Sequence, residues 1–178
     1  MVWNEVKRAV FPGRFQPIHL GHMNVILWSL DKVDELIIAI GTAQESHTLV
    51  NPFTAGERVF MIREALKEFN VDLSRVYIIP VPDILMNSVW PNYLQMYVPK
   101  FHYGIARNPL VIRLFREAGY EVLIPPPYER GLYSSTTIRK LILLGDNRWK
   151  ELVPKSVAQV IEELKATDRI REVAGIDR

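Results

Sequence analysis

The sequence has no cysteine. That excludes disulfides, thiolate catalysis and Cys-ligated zinc, and it fits a reducing compartment. It has no apolar run near the roughly 20 residues that a bilayer span needs. The first ten residues mix acid and base without an apolar core, so no secretory leader is expected. These absences predict a cytoplasmic protein that engages no membrane. There is also no surplus of one charge. Lys and Arg total 22 against 20 Asp and Glu, a net charge of +2, which excludes a general nucleic-acid binder. Any phosphate chemistry must come from local basic residues. No GxGxxG follows the first strand, and GxxxxGK[ST] and GxSxG do not occur. The dinucleotide fingerprint, the P-loop and the serine elbow therefore do not apply. No internal repeat or low-complexity segment is seen, and Pro125-Pro126-Pro127 is too short for an interdomain linker.

What remains is a chain of 178 residues, 48% apolar and 24% charged. That suits one globular domain with a substantial core. Short apolar strands alternate with amphipathic helices. Strands are predicted over 6–11, 35–40, 76–79, 101–105 and 121–124. The Glu35-Leu36-Ile37-Ile38-Ala39-Ile40 run is continuous rather than alternating, as for a parallel strand buried on both faces. Helices are predicted from Gly21 to about Leu30, from the T-x-x-E capping box at Thr54 and Glu57 to about Phe69, and from Pro91 to before Pro99. Further helices are expected over 109–118, 134–144 and 154–166, with Gly119 and Gly145 as stops and a last short helix near Asp168. The pattern argues for a doubly wound, Rossmann-like α/β domain with five parallel strands and a helical C-terminal tail. In such sheets ligands bind at the carboxyl ends of the strands.

Three carboxyl-end features carry chemistry. The first is the turn from strand to helix that holds Gly13, Arg14, His19 and His22. Free N–H groups and the helix dipole make such a turn an anion site. His19 and His22, three apart, share a helix face. They can be read as a satisfied, partly buried pair, as two zinc ligands lacking an evident third, or as phosphate donors beside Arg14. The second feature is Ser134-Ser135-Thr136-Thr137-Ile138-Arg139, hydroxyls at a helix start followed by an arginine. These are good helix caps and equally a second oxyanion clamp. The third is the 83–91 loop with Asp83, Asn87 and Trp90, where the indole either covers core or stacks on a heteroaromatic ring.

Gly13-Arg14-Phe15-Gln16-Pro17-Ile18-His19-Leu20-Gly21-His22 resembles the HxGH motif of the nucleotidyltransferase superfamily, and Ser135-Thr136-Thr137-Ile138-Arg139 resembles its second motif. Five further blocks resemble, in order, those of the archaeal-type nicotinamide-nucleotide adenylyltransferases. They are Thr42-Ala43-Gln44-Glu45-Ser46-His47-Thr48, Asn51-Pro52-Phe53-Thr54-Ala55-Gly56-Glu57-Arg58, Ile79-Pro80-Val81-Pro82-Asp83, Asn87-Ser88-Val89-Trp90 and Asn108-Pro109-Leu110-Val111. The similarity runs over nearly the whole chain. One departure is Ile105-Ala106-Arg107, where similar proteins carry a small Gly-containing turn.

The resemblance implies one nucleotidyltransferase domain over 1–178, with a helical extension from about 146. It implies the reaction of ATP with nicotinamide mononucleotide to give NAD and pyrophosphate. Carried over residue by residue, it makes His19, His22, Arg14 and Arg139 the catalytic set. Gly13, Phe15, Gln16, Asn108, Ser134, Ser135, Thr136 and Thr137 would surround ATP. Thr42, Ala43, Gln44, Asp83, Ile84, Asn87 and Trp90 would surround the mononucleotide. Mg²⁺ is expected on the ATP oxygens rather than on protein ligands. The resemblance also implies a homo-oligomer, a hexamer in similar proteins; the apolar C-terminal helices either form that interface or complete the core. Two rival readings are a transferase acting on phosphopantetheine, FMN or glycerol phosphate, and a non-catalytic NAD sensor.

Overall fold

Strands and helices alternate along the chain in the computed structural model, which describes residues 6–129 and 131–175. The first ten residues, read above for a leader, therefore lie partly outside the described part. The elements are β1 (Arg8–Gly13), α1 (Leu20–Leu30), β2 (Glu35–Ile40), α2 (Ala55–Glu68), β3 (Val76–Pro80), α3 (Trp90–Leu94), β4 (Tyr103–Ile105), α4 (Pro109–Glu117), β5 (Glu121–Leu123), α5 (Ser135–Leu143), α6 (Lys155–Glu163) and α7 (Ala166–Ala174). The strands form one sheet in the order β3-β2-β1-β4-β5, every neighbouring pair parallel. The chain builds outward from β1 to β3, then returns to place β4 on the other side of β1. The strand order thus reverses between β1 and β4, the place where open α/β sheets bind ligands.

β2 occupies the stretch expected of it, and its burial explains the unbroken apolar run. Leu36, Ile38 and Ile40 face a core with Met61 and Ile62 of α2, Ile138 of α5 and Ile161 of α6. Ile37 and Ala39 face a second core with Leu94 of α3 and Phe115 of α4. Gly104 in β4 lets α4 sit close, since a Cβ there would come within 2.5 Å of the Phe115 ring. The Thr54–Glu57 capping box forms as read from the sequence: Thr54 Oγ1 accepts from Glu57 N–H at 3.1 Å, and Glu57 Oε2 accepts from Thr54 N–H at 2.9 Å. Gly119 and Gly145 sit just past their helices with φ of +85° and +69°.

Several boundaries differ from expectation: the helix expected from Pro91 to before Pro99 spans only Trp90–Leu94, the strand expected over 101–105 only Tyr103–Ile105, and two further differences have a clear cause. The first strand runs to Gly13 rather than ending at Phe11, although it contains Pro12. Gly13 O accepts from Gly41 N–H, so Gly13 faces β2 and, by alternation, the Pro12 nitrogen faces β4. Pairing with β4 is limited to Ala9↔Tyr103 and Val10↔Gly104, so no ladder bond is lost there. The 154–166 helix is likewise shorter. It ends at Glu163, and Lys165 at φ +49° turns the chain into α7. Both tail helices turn their apolar faces inward, burying Val157, Ile161, Ala166 and Ile170. They complete the core. Arg169 of α7 grips Glu57 with two bonds, at 2.8 and 2.9 Å, and so ties the tail to the start of α2. Among the described residues, no helix is long and apolar enough to cross a membrane.

Candidate active site

A cleft opens where the strand order reverses. Its volume is about 460 Å³. The β1–α1 turn forms one wall, Ala106, Arg107 and Asn108 after β4 another, and Pro125, Pro126, Tyr128 and the start of α5 the rest. None of the lining residues is acidic.

The turn is built by close packing. Phe15 lies at φ +49° and is buried. Its ring folds back over Gly13, where a Cβ would come within 2.9 Å of it, and supports the His22 ring at 4.7 Å. The Gln16 side chain is spent on the Phe53 backbone, donating to the carbonyl at 3.0 Å and accepting from the N–H at 2.9 Å. Gln16 therefore anchors the 41–53 loop. It meets the cleft through its main chain, whose carbonyl accepts from Arg139 Nη1 at 2.9 Å.

His19 and His22 cap α1 reciprocally. His19 Nδ1 accepts from His22 N–H at 3.2 Å, and His22 Nδ1 accepts from His19 N–H at 3.3 Å. With both Nδ1 atoms accepting, a neutral ring carries its proton on Nε2. The rings stack with centroids 3.6 Å apart. Burial pushes His19 down to about 4. Burial, then the neighbouring His19, holds His22 well below the usual histidine range. At neutral pH the pair is therefore two uncharged Nε2–H donors on the cleft wall. Gly21 between them is needed in place: a Cβ would lie 3.0 Å from the His19 ring and 3.0 Å from Tyr133 Cβ. Its N–H, like those of Ser135 and Thr136 at the start of α5, has no acceptor among the described residues.

At α5 the hydroxyls have local duties. Ser134 Oγ accepts from Thr137 N–H at 3.0 Å and pairs with Thr137 Oγ1 at 2.8 Å. Ser135 Oγ donates to Pro17 O at 2.9 Å, pinning α5 to the first turn. Arg139 reaches Thr136 Oγ1 as well as Gln16 O. Burial lowers the Arg139 pKa, and nearby Arg14 adds to that. Arg14 itself is exposed and has no acceptor for its guanidinium among the described residues. Two adjacent cations without an anion, beside unspent N–H groups, make a site of positive potential. Asn108 caps α4 by accepting from Leu110 N–H at 2.9 Å.

Of the other predicted residues, Asp83 and Trp90 line a second site next door, whereas Thr42, Ala43, Gln44, Ile84 and Asn87 lie outside its lining. A small crevice at the ends of β1 to β3 is lined by Pro12, Gly41, Pro82, Asp83, Trp90 and Leu94, among others. Pro12 lines both cavities. Trp90 is half-buried, edge-on to Phe115 at 5.4 Å. Asp83 accepts from Thr42 N–H at 3.0 Å and from Thr42 Oγ1 at 2.7 Å, and Gln44 Oε1 accepts from Asp83 N–H at 3.0 Å. Ala43 N–H donates to Val81 O, and Asn87 opens a single 3₁₀ turn ahead of Trp90. Ile84 follows Asp83, half-buried and outside the crevice lining. Among the described residues no three His, Asp or Glu side chains form a metal-binding set.

Sequence reasoning passed over Tyr128, Tyr133 and Arg58 as contributors, and noted Arg107 only as a departure from similar proteins. Arg107, whose Nη1 donates to Pro126 O at 3.3 Å, links two walls of the cleft. Tyr128 and Tyr133 stack at 5.2 Å on its rim, and the aromatic spacing in a carboxyl-end loop was the available signal. Arg58 lies beneath the turn and is fully buried.

The cytidylyltransferase-like family model matches residues 10–141. The chain is 61% identical to the nicotinamide-nucleotide adenylyltransferase of Saccharolobus solfataricus, over 97% of this chain and 100% of that protein. It is 59% identical to that of Ignicoccus hospitalis, over 96% and 99%. The fold resembles a crystal structure of a bifunctional NMN adenylyltransferase/ADP ribose pyrophosphatase from Francisella tularensis, complexed with AMP and a manganese ion. That match has a TM-score of 0.73 at 20% identity and covers 94% of this chain and 52% of the other, so this chain spans about half of the bifunctional protein. The family match and the near-complete overlap with archaeal relatives agree, and the chain belongs to the archaeal-type nicotinamide-nucleotide adenylyltransferases, a family of nucleotidyltransferases.

Proposed function

We propose that the protein transfers the adenylyl group of ATP to nicotinamide mononucleotide, giving NAD and pyrophosphate. The observation that carries this reading is the make-up of the cleft: two neutral histidine Nε2–H donors, two arginines with no ion pair and helix-start N–H groups with no acceptor among the described residues, and no acidic lining residue. Such a surface is complementary to phosphate charge.

In this reading an oxygen of the mononucleotide 5′-phosphate attacks the ATP α-phosphorus in line. The new P–O bond forms as the bond to the β-phosphate oxygen breaks, and pyrophosphate leaves with that electron pair. The nucleophile is already anionic, so no proton need be removed. His19 and His22 donate to the departing phosphates, and Arg14 and Arg139 bracket the transferred group. The N–H groups of Gly21, Ser135 and Thr136 add donors. Positioning and charge stabilisation supply the rate, as expected for phosphoryl chemistry. Trp90 stacks on the nicotinamide ring at the mouth of the neighbouring crevice, which is itself too narrow to take the ring, with Asp83 and Asn87 toward its polar edge. Mg²⁺ enters with ATP as the substrate complex, since the donor set here suits phosphate and not a divalent cation. A cytoplasmic homo-oligomer belongs to the same reading.

The test is a pyrophosphate-release assay with Mg·ATP and a panel of acceptors, with the product identified by mass. Release with nicotinamide mononucleotide and formation of NAD support the reading. Release with phosphopantetheine, FMN or glycerol phosphate instead, or NAD binding without turnover, would refute it.

A further inference from the structure

Arg58 is the sole fully buried Lys, Arg, Asp or Glu among the described residues. Among the described residues no carboxylate is hydrogen-bonded to it. Its guanidinium is wrapped by main-chain carbonyls instead. Nε donates to Thr54 O at 3.2 Å, Nη1 to Arg14 O at 3.0 Å and Gly41 O at 2.8 Å, and Nη2 to Thr42 O at 3.0 Å. Arg14 is the first residue after β1, and Gly41 and Thr42 are the first two after β2. One side chain on α2 thus holds the carbonyl ends of two neighbouring strands.

Thr42 makes this more than a tether. It is β-branched and sits at φ +52°, a strained region that such residues rarely occupy. The conformation is held from both ends. Arg58 takes the Thr42 carbonyl, and Asp83 takes the Thr42 N–H and hydroxyl. Asp83 in turn lines the crevice beside Trp90, while Arg14 lines the cleft. The Arg58–Thr42–Asp83 chain therefore joins the loops after β1, β2 and β3 into one rigid unit that reaches both cavities.

We infer that Arg58 is a positioning residue for adenylyl transfer, setting the Arg14 turn and the strained Thr42 turn so that the groups in the two cavities stand in one register. The inference rests on the proposed reaction. Lysine cannot replace it, because a single ammonium cannot span four separated carbonyls.

The experiment measures ATP-binding stoichiometry by calorimetry and turnover per ATP-binding site, for wild type, Arg58→Lys, Thr42→Gly and the double variant. Arg58→Lys should keep its stoichiometry and lose about 10²-fold in kcat per site, the scale of an ångström-level misplacement. A purely structural role would lower the number of sites and leave kcat per site at wild type, which overturns the inference. Arg58 acts partly through Thr42, so the two losses should combine to less than their product; losses that multiply fully also overturn it. If Arg58→Lys does not fold, Thr42→Gly decides alone. Glycine accepts φ +52° without strain. That variant should lose about 10-fold in kcat/KM for the mononucleotide with ATP affinity kept, as for a lost hydrogen bond to a charged group, and wild-type kinetics there overturn the inference. Wild-type protein that forms no NAD would bring down the reaction and the inference together; an active wild type with unaffected variants removes the inference alone.

Discussion

His19 and His22 hold each other's rings through reciprocal Nδ1 bonds to backbone N–H, so that one motif caps α1 and turns two Nε2–H donors to the cleft. His22→Ala should remove one such donor and part of the cap. Turnover should fall by roughly 10²–10³, as for loss of a single oxyanion donor, and stability by about 1 kcal/mol. Steady-state kinetics beside thermal unfolding check this; near-normal kcat would sink the assigned role.

Stability should depend on pH through the same pair. Burial lowers the folded His19 pKa from 6.5 to about 4. The unfolded chain thus binds the proton first. The contribution is fully present above pH 6.5 and is lost as pH falls toward the folded value. Between pH 7 and 5, His19 alone should remove about 2 kcal/mol, and His22 acts in the same direction. Urea unfolding at the two pH values measures it. His19→Asn should flatten the dependence, and an unchanged slope in that variant would contradict the linkage.

Gly21→Ala is a steric test. The new Cβ would press on the His19 ring and on Tyr133, both at 3.0 Å. Overpacking of this kind costs about 1–3 kcal/mol. Because one of the two neighbours is His19, kcat should fall with it, whereas a variant equal to wild type in both would mean that the Tyr133 loop yields freely.

Trp90→Ala should raise the KM for the mononucleotide more than that for ATP, and Trp90→Phe should recover most of the loss. Part of the effect is packing, since the indole meets Phe115 at 5.4 Å. Half-burial of a large ring implies about 2 kcal/mol of stability. Equal effects on the two KM values would count against stacking.

Arg169→Met should loosen the tail. The guanidinium makes a paired contact with Glu57 and sits at 20% side-chain exposure against 17% for the acid. Breaking a charged pair this sheltered costs about 1.5–3 kcal/mol. Glu57 is itself held below the usual carboxylate range by Arg169 and Thr54 against the opposing effect of burial. Chemical denaturation reads the loss, and an unshifted midpoint would show that the pair contributes nothing.

Local chemistry was legible in the sequence where local chemistry decides. The continuous Glu35–Ile40 run, the Thr54–Glu57 box and the glycine stops each carry their structural reason within a few residues. Pro12 misled, because its missing N–H matters only if a neighbour strand faces it, and that is a property of the sheet. The turn at Lys165 carries no glycine to announce it. The cleft's basic and histidine residues stood out by type and spacing. Arg58 did not, because its acceptors are carbonyls from three separate stretches that meet only after folding. Gln16 was visible as part of a motif, while its clasp on Phe53 was not.

Pro12 has one more consequence. It forms the shared wall of the two cavities at the point where β1 has run past its partnership with β4. The residue between them is one with no N–H to offer a new partner. Side-chain exchange on the rim can retune which molecules enter either chamber. The partition itself stays where the strand puts it, so relatives that differ in acceptor are expected to share the same floor plan.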